Sequence, residues 1–198
     1  KDNVIVICHA LTGSHHAAGT YEGDNRPGWW DGLIGSGKAV DTDHFFVICP
    51  NVIGSCFGST GPMSLRYPYN EPYRYKFPVV TILDMVKAQR ILFDRLGIHE
   101  VHAIIGGSMG GMQALAFGVF FPNFAKKIIA MATTHATQAW VIAFNKVAQE
   151  AILQDPEFKH GYYDPKIIQE DGLSGMAIGR MAGHISFLSP QSMERKFG

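Results

Sequence analysis

Gly106-Gly107-Ser108-Met109-Gly110-Gly111 is the stretch on which the reading of this chain turns. An apolar run, Val101-His102-Ala103-Ile104-Ile105, leads into it, and a helix-forming run, Met112-Gln113-Ala114-Leu115-Ala116-Phe117, leads away. Strand, Gly-x-Ser-x-Gly, helix is the pattern of a nucleophile elbow. A serine at such a turn occupies a sparsely populated backbone region, at a cost of about 1–3 kcal/mol. Bulky neighbours would collide with the turn, so Gly106 and Gly110 flank the serine, and Gly111 lets the helix begin close to the sheet. Ser108 is thereby held at a helix N-terminus, where peptide dipoles favour developing negative charge. The competing reading is a glycine-rich turn of purely structural origin.

Working outward, Val4-Ile5-Val6-Ile7 and Phe45-Phe46-Val47-Ile48 are continuous apolar runs, as expected of strands covered on both faces of a parallel sheet. Val101 to Ile105 is a third strand, and Ile128-Ile129-Ala130-Met131-Ala132 a fourth buried one. Between them, residues Val79 to Leu96 predict a helix with Ile82, Met85, Val86, Phe93 and Leu96 on one side and Gly97 as its stop. Met109 to Phe121 predicts the helix after the elbow, ended by Pro122. Strand and helix alternate from residue 4 to 132, which argues a parallel sheet with right-handed crossovers. After Thr133 the rhythm changes. Gln138 to Gln154, Leu173 to Ile185 and Pro190 to Phe197 read as helices with no strand between, the pattern of a cap over the carboxyl edge of a sheet. The fold class is therefore α/β, a mostly parallel sheet with flanking helices, divided into a core over residues 1–134 and a helical cap over 135–198.

With 198 residues, 46 % of them apolar and 17 % charged, the chain has the composition of an ordinary globular protein. Seventeen basic residues balance seventeen acidic ones, so nucleic acid and anionic membrane are not expected partners. Cys8, Cys49 and Cys56 have no metal-ligand spacing and cannot all pair; buried thiols in a reducing compartment are the simplest reading. No metal site is expected. Neither a signal peptide nor an apolar run of about 18 residues is present. Lys1-Asp2-Asn3 enters a strand almost at once, and Met193 to Gly198 stops without a closing element, so a piece of a longer protein is expected.

A serine hydroxyl needs a base, normally histidine oriented by a carboxylate. In this architecture the chain order is Ser, then Asp or Glu, then His. The downstream histidines are His135, His160 and His184. His135 follows the fourth strand directly and His184 lies in a cap helix, so they read as structural or pocket histidines. The triad partners are expected beyond Gly198, and the chain alone is not expected to turn over. The oxyanion hole is better represented: one backbone N–H from the residue after the nucleophile, Met109, and one from the loop after the first strand, Leu11. An ordinary loop is the competing reading of His9-Ala10-Leu11-Thr12-Gly13. The glycine-rich Asn51 to Pro62 lacks the Lys-Ser/Thr ending of a phosphate loop, and a connection of that length is more often a functional loop.

Five motifs together resemble the homoserine O-acetyltransferase family of α/β-hydrolase-fold acyltransferases. They are His9 to Gly13, Pro27-Gly28-Trp29-Trp30-Asp31, Asn51 to Pro62, Gly106 to Leu115, and Gly179-Arg180-Met181-Ala182-Gly183-His184. The resemblance implies an α/β-hydrolase fold and transfer of an acetyl group from acetyl-CoA to the hydroxyl of L-homoserine, in methionine biosynthesis. It implies a ping-pong route through an acyl-enzyme on Ser108, with acetyl-CoA as co-substrate and no bound cofactor. It also implies a cytoplasmic homodimer paired through the cap. Arg180 matches the family's substrate-binding arginine, and an arginine fork meets a carboxylate bidentately; a solvated cap arginine in a surface ion pair is the alternative. Family members carry the triad aspartate and histidine in a C-terminal part, and strands ahead of residue 1. Ser36 stands where relatives often have proline. Homoserine O-succinyltransferase, a serine esterase or hydrolase on the same elbow, and a non-catalytic binding module are the alternatives.

Overall fold

A computed structural model describes residues 3–164, 166 and 172–198. Lys1 and Asp2, at the head of the first expected strand, and residues 165 and 167–171 of the expected cap lie outside the described residues. Two compact units are present: Lys1–Tyr73 with Phe77–His135, and Arg74–Lys76 with Ala136–Gly198.

The first unit is built on β1 (Val4–Cys8), β4 (Phe46–Ile48), β7 (Ala103–Gly107) and β8 (Ile128–Met131), in the spatial order β4-β1-β7-β8 with every pairing parallel. Between β1 and β4 lies a short parallel pair, β2 (Ile34–Gly35) and β3 (Val40–Asp41). The hairpin β5 (Leu65–Arg66) and β6 (Glu71–Pro72) follows β4. Helix α1 (Ile82–Arg95) precedes β7, and α2 (Met109–Phe120) follows it.

Alternation along β1 sorts its side chains onto two faces. Val4, Val6 and Cys8 join Ile104 and a layer from α1 and α2 that includes Val86, Phe93, Ala114 and Phe117. Phe93, Phe117 and Phe124 form an aromatic centre there, with ring centroids 5.4–6.3 Å apart. Each such ring stabilises by about 1.5–3 kcal/mol on burial. On the other face Ile5, Ile7, Ala103 and Ile105 pack on Ala17, Ile34 and Val40. There the irregular chain between β1 and β4 provides the cover.

Three expectations change. The fourth strand is not buried in this chain: β8 is last in the strand order, and Ile129 and Met131 are 42 % and 37 % exposed. The buried stripe of α1 is Val86, Gln89 and Phe93, whereas Leu96 is 51 % exposed. Leu96 is the C-cap, beyond the last full turn, and Ile98 takes its place in the core. Gly97, at φ +68°, ends α1 in a Schellman motif, with Ile98 N–H donating to Phe93 O (2.8 Å) and Gly97 N–H to Asp94 O (3.0 Å). The start of α1 is set by Thr81 and Asp84, which cap each other reciprocally, so the helix begins three residues later than its apolar pattern.

The second unit holds α3 (Ala139–Leu153), α4 (Ser174–Ser186), α5 (Pro190–Phe197) and two 3-10 turns, Arg74–Lys76 and Lys159–Gly161. A Cβ on Gly175 would strike the Ala151 carbonyl, and one on Gly179 would sit 3.3 Å from the Ala148 Cβ. Glycines four residues apart thus let α4 lie close against α3. The Asp155 carboxylate accepts the Gly175 N–H (2.7 Å), capping α4 from a distance because Leu173 cannot. Arg74 donates to Gly161 O (2.8 Å) and lies 4.3 Å over the Tyr162 ring.

Candidate active site

Ser108 stands between β7 and α2 with φ 54° and ψ −121°, outside the regions open to ordinary residues. It occupies the N-cap position, yet its hydroxyl makes no capping bond, which leaves the exposed oxygen available for chemistry. Its neighbours must be glycine for reasons visible atom by atom. A Cβ on Gly106 would overlap the Gly110 carbonyl, and one on Gly110 would overlap the Cys8 carbonyl. Both obstacles are backbone and cannot swing aside. The elbow is anchored to the next strand: Ser108 N–H donates to Met131 O (3.0 Å), and Ser108 O accepts from Met112 N–H (3.1 Å) and the Thr133 hydroxyl (2.7 Å).

The loop after β1 lies beside the elbow because Cys8 is in register with Gly106. His9, 1 % exposed, organises that loop. Its Nε2 accepts the Val52 N–H (3.2 Å), so Nδ1 carries the proton and donates to Ala10 O (2.8 Å). Both ring nitrogens are used, and the ring has none left for proton transfer. The His9 carbonyl accepts from Gln113 Nε2 (3.2 Å) on α2, and Gln113 Oε1 accepts from Gln89 Nε2 (2.8 Å) on α1. A turn bond from Gly13 N–H to Ala10 O (2.9 Å) closes the loop. Farther along, Trp29 Nε1 donates to Ser14 O (2.9 Å), and Asn51 Oδ1 accepts the His15 N–H (2.8 Å). Asp31 accepts the Gly19 N–H (2.8 Å) and pairs with Lys38 (3.2 Å). That backbone bond first, then the lysine, holds its carboxyl below the usual aspartate range. Trp29, Asp31, Asn51 and Val52 thus brace the chain that follows β1.

Among the described residues, neither the Leu11 N–H nor the Met109 N–H has an acceptor. Both follow the carboxyl ends of adjacent strands, where ligands bind in open parallel sheets. In the second unit, Arg180 is exposed on α4 and, with Met181, His184 and Ile185, lines a cleft of about 400 Å³. Among the described residues Arg180 has no carboxylate partner. His160 meets the edge of Tyr75 at 5.9 Å, a packing role. No cluster of three or more metal-ligating side chains occurs among the described residues, and none of their helices is long and apolar enough to cross a membrane.

Reasoning from sequence did not single out His9, Gln89, Gln113 or Thr133 as individual residues. The signal for three of them was present: a polar residue directly after an all-apolar strand, and glutamines inside otherwise apolar helix faces. Thr133 left no such signal, because its role depends on how the chain turns after β8.

The fold and the elbow define a class: residues 3–177 match the alpha/beta hydrolase fold family, and the chain belongs to it. Within that class, curated relatives closely similar to it in sequence share one name. The chain is 78 % identical over 198 residues to a homoserine O-acetyltransferase of Sulfurimonas autotrophica, covering all of this chain and 54 % of that protein. It is 64 % identical over 199 residues to a homoserine O-acetyltransferase of Nautilia profundicola, with the same coverage. The chain spans about half the length of the curated relatives it matches. Among solved structures it resembles esterase E22 (TM-score 0.86, 36 % identity, 98 % of this chain and 54 % of that one). It also resembles the homoserine O-acetyltransferase from Bacillus anthracis (TM-score 0.85, 34 % identity, 93 % and 50 %).

Proposed function

We propose that the protein to which this chain belongs is a homoserine O-acetyltransferase, moving an acetyl group from acetyl-CoA to the hydroxyl of L-homoserine in methionine biosynthesis. The observation that carries the reading is the strained, uncapped Ser108 at the head of α2, in a chain so close to relatives of that name. Ser108 Oγ attacks the thioester carbonyl and passes its proton to a general base; the C–S bond breaks, and CoA takes that proton as it leaves. The homoserine hydroxyl then gives its proton to the base and attacks the serine ester; the bond from the acetyl carbon to Ser108 Oγ breaks, and Ser108 Oγ takes that proton from the base. The N–H groups of Leu11 and Met109 stabilise the oxyanion in both halves. Arg180 binds the homoserine carboxylate as a fork, and residues 135–198 serve as the cap. Positioned this way, the acceptor reacts at an effective molarity of roughly 10⁵ M or more, far above that of bulk water. The enzyme needs no bound cofactor, and it works in the cytoplasm as a homodimer paired through the cap.

The test uses the natural full-length protein. Mixed with acetyl-CoA, it is expected to gain an acetyl group at Ser108 by intact-mass and peptide analysis; mixed with succinyl-CoA, it is expected to gain no succinyl group, and Ser108→Ala to gain neither. Arg180→Ala is expected to raise the homoserine KM while acyl-enzyme formation stays near wild type. A second reading, a serine esterase, is favoured by the likeness to esterase E22. Rapid acetate release from acetyl-CoA without homoserine would sink the transferase reading in favour of it.

A further inference from the structure

The residues just after β8 make an unusual detour. Ala132 has φ 45°, a left-handed conformation that is strained for a non-glycine residue. The turn takes Thr133 off the line of the strand and brings its hydroxyl to the Ser108 carbonyl, at 2.7 Å. The strained Ser108 is thus tied to the residues on either side of the strained Ala132. The Ser108 N–H is held by Met131 O, and its C=O is held by Thr133. Gly111 completes the arrangement. A Cβ there would lie 2.6 Å from the Thr133 Cβ, so this glycine makes room for the Thr133 side chain as well as for the helix start.

The carbonyl of Ser108 and the N–H of Met109 belong to one planar trans peptide and point in opposite directions. Whatever fixes the carbonyl aims the N–H. We propose that Thr133 is a positioning residue for the oxyanion hole: its hydroxyl sets the plane of the Ser108–Met109 peptide and so the direction of the Met109 N–H. The proposal deepens the reading of Ser108 as nucleophile and rests on it. The Met112 N–H bond to the same carbonyl belongs to the helix and follows α2 wherever it goes. Among the described residues, only the Thr133 bond ties that peptide to the chain leaving the neighbouring strand through a side chain. The threonine methyl packs and the hydroxyl orients, so the two functions separate by substitution.

The experiment compares wild type, Thr133→Val and Thr133→Ser in the natural full-length protein. It measures single-turnover acylation of Ser108 by acetyl-CoA and by p-nitrophenyl acetate, donor KM, and thermal midpoint. Losing an oxyanion donor outright typically costs about 10²–10³ in turnover. Misaiming one is expected to slow acylation by Thr133→Val about 10- to 100-fold for both donors, with KM within about threefold of wild type. Thr133→Ser is expected to acylate within about threefold of wild type, because it keeps the hydroxyl. Undiminished acylation in Thr133→Val overturns the proposal. So does an equal loss in both variants, which would assign the residue to packing against Gly111. If Thr133→Val does not fold, the serine variant decides: near wild-type acylation supports the role, and a tenfold loss overturns it. A wild type that acquires no acyl group at Ser108 overturns the nucleophile reading itself, and the Thr133 role with it. An acylated wild type beside an unimpaired valine variant removes only the latter.

Discussion

Replacing Gln113 and Gln89 in turn tests the buried amide chain behind the site. Both are buried, on different helices, and joined by one hydrogen bond. Methionine keeps most of the volume, so the comparison isolates polar satisfaction. Gln113→Met strips a partner from the Gln89 amide nitrogen and from the His9 carbonyl. Each buried group left bare costs about 1–3 kcal/mol, which gives about 2–6 kcal/mol in all. Gln89→Met bares only the Gln113 Oε1 and removes the Gln89 Oε1, which is already buried without a partner. Its net cost is therefore about 0–2 kcal/mol. The double variant leaves only the His9 carbonyl bare and removes both groups that the single variants strand, so it is expected to be more stable than the sum of the single losses by about 2–6 kcal/mol. Urea-unfolding midpoints of the natural full-length protein, with unchanged slope, measure these differences. Since His9 organises the loop that carries Leu11, Gln113→Met is also expected to slow Ser108 acylation more than Gln89→Met. Equal costs for the two single variants, or strict additivity in the double, would refute the reasoning.

Two further outcomes follow from local chemistry. The Thr81 hydroxyl and then its N–H hold the Asp84 carboxyl below the ordinary aspartate range, against a small opposing effect of burial. A depressed folded-state value means that the cap's contribution is complete above the unfolded pKa of about 3.9 and is lost as the pH falls through the folded one. The thermal midpoints of wild type and Asp84→Asn should therefore differ most near neutrality and converge in acid; a pH-independent gap contradicts this. Burial, reinforced by the nearby Cys49, drives the Cys8 thiol far up, and burial pushes Cys49 up to about 12. A maleimide near pH 8 is expected to label the exposed Cys56 in the native protein and all three thiols in urea. Native labelling of Cys8 at the Cys56 rate, read by peptide mapping, would contradict the burial.

Local chemistry, legible residue by residue, determined the elbow. Gly106, Gly110 and Gly111 around Ser108 admit few backbones, and steric exclusion acts within a handful of residues. The same holds for the parallel strands, whose apolar runs need cover on both faces, and for Gly97, where only a left-handed residue closes the Schellman motif of α1. Three things were decided by tertiary structure alone. The register of β8 against β7, which sets Met131 O against the Ser108 N–H, is not encoded by its own apolar residues. The pairing of Gln89 with Gln113, and of Gln113 with the His9 carbonyl, joins residues up to 104 positions apart. The reach of Thr133 back to Ser108 requires Ala132 to turn left-handed, and that strain is sustained only by bonds made once β7 and β8 lie side by side. Short-range sterics are written in neighbouring residues, whereas hydrogen bonds across the sheet exist only after the chain has closed on itself.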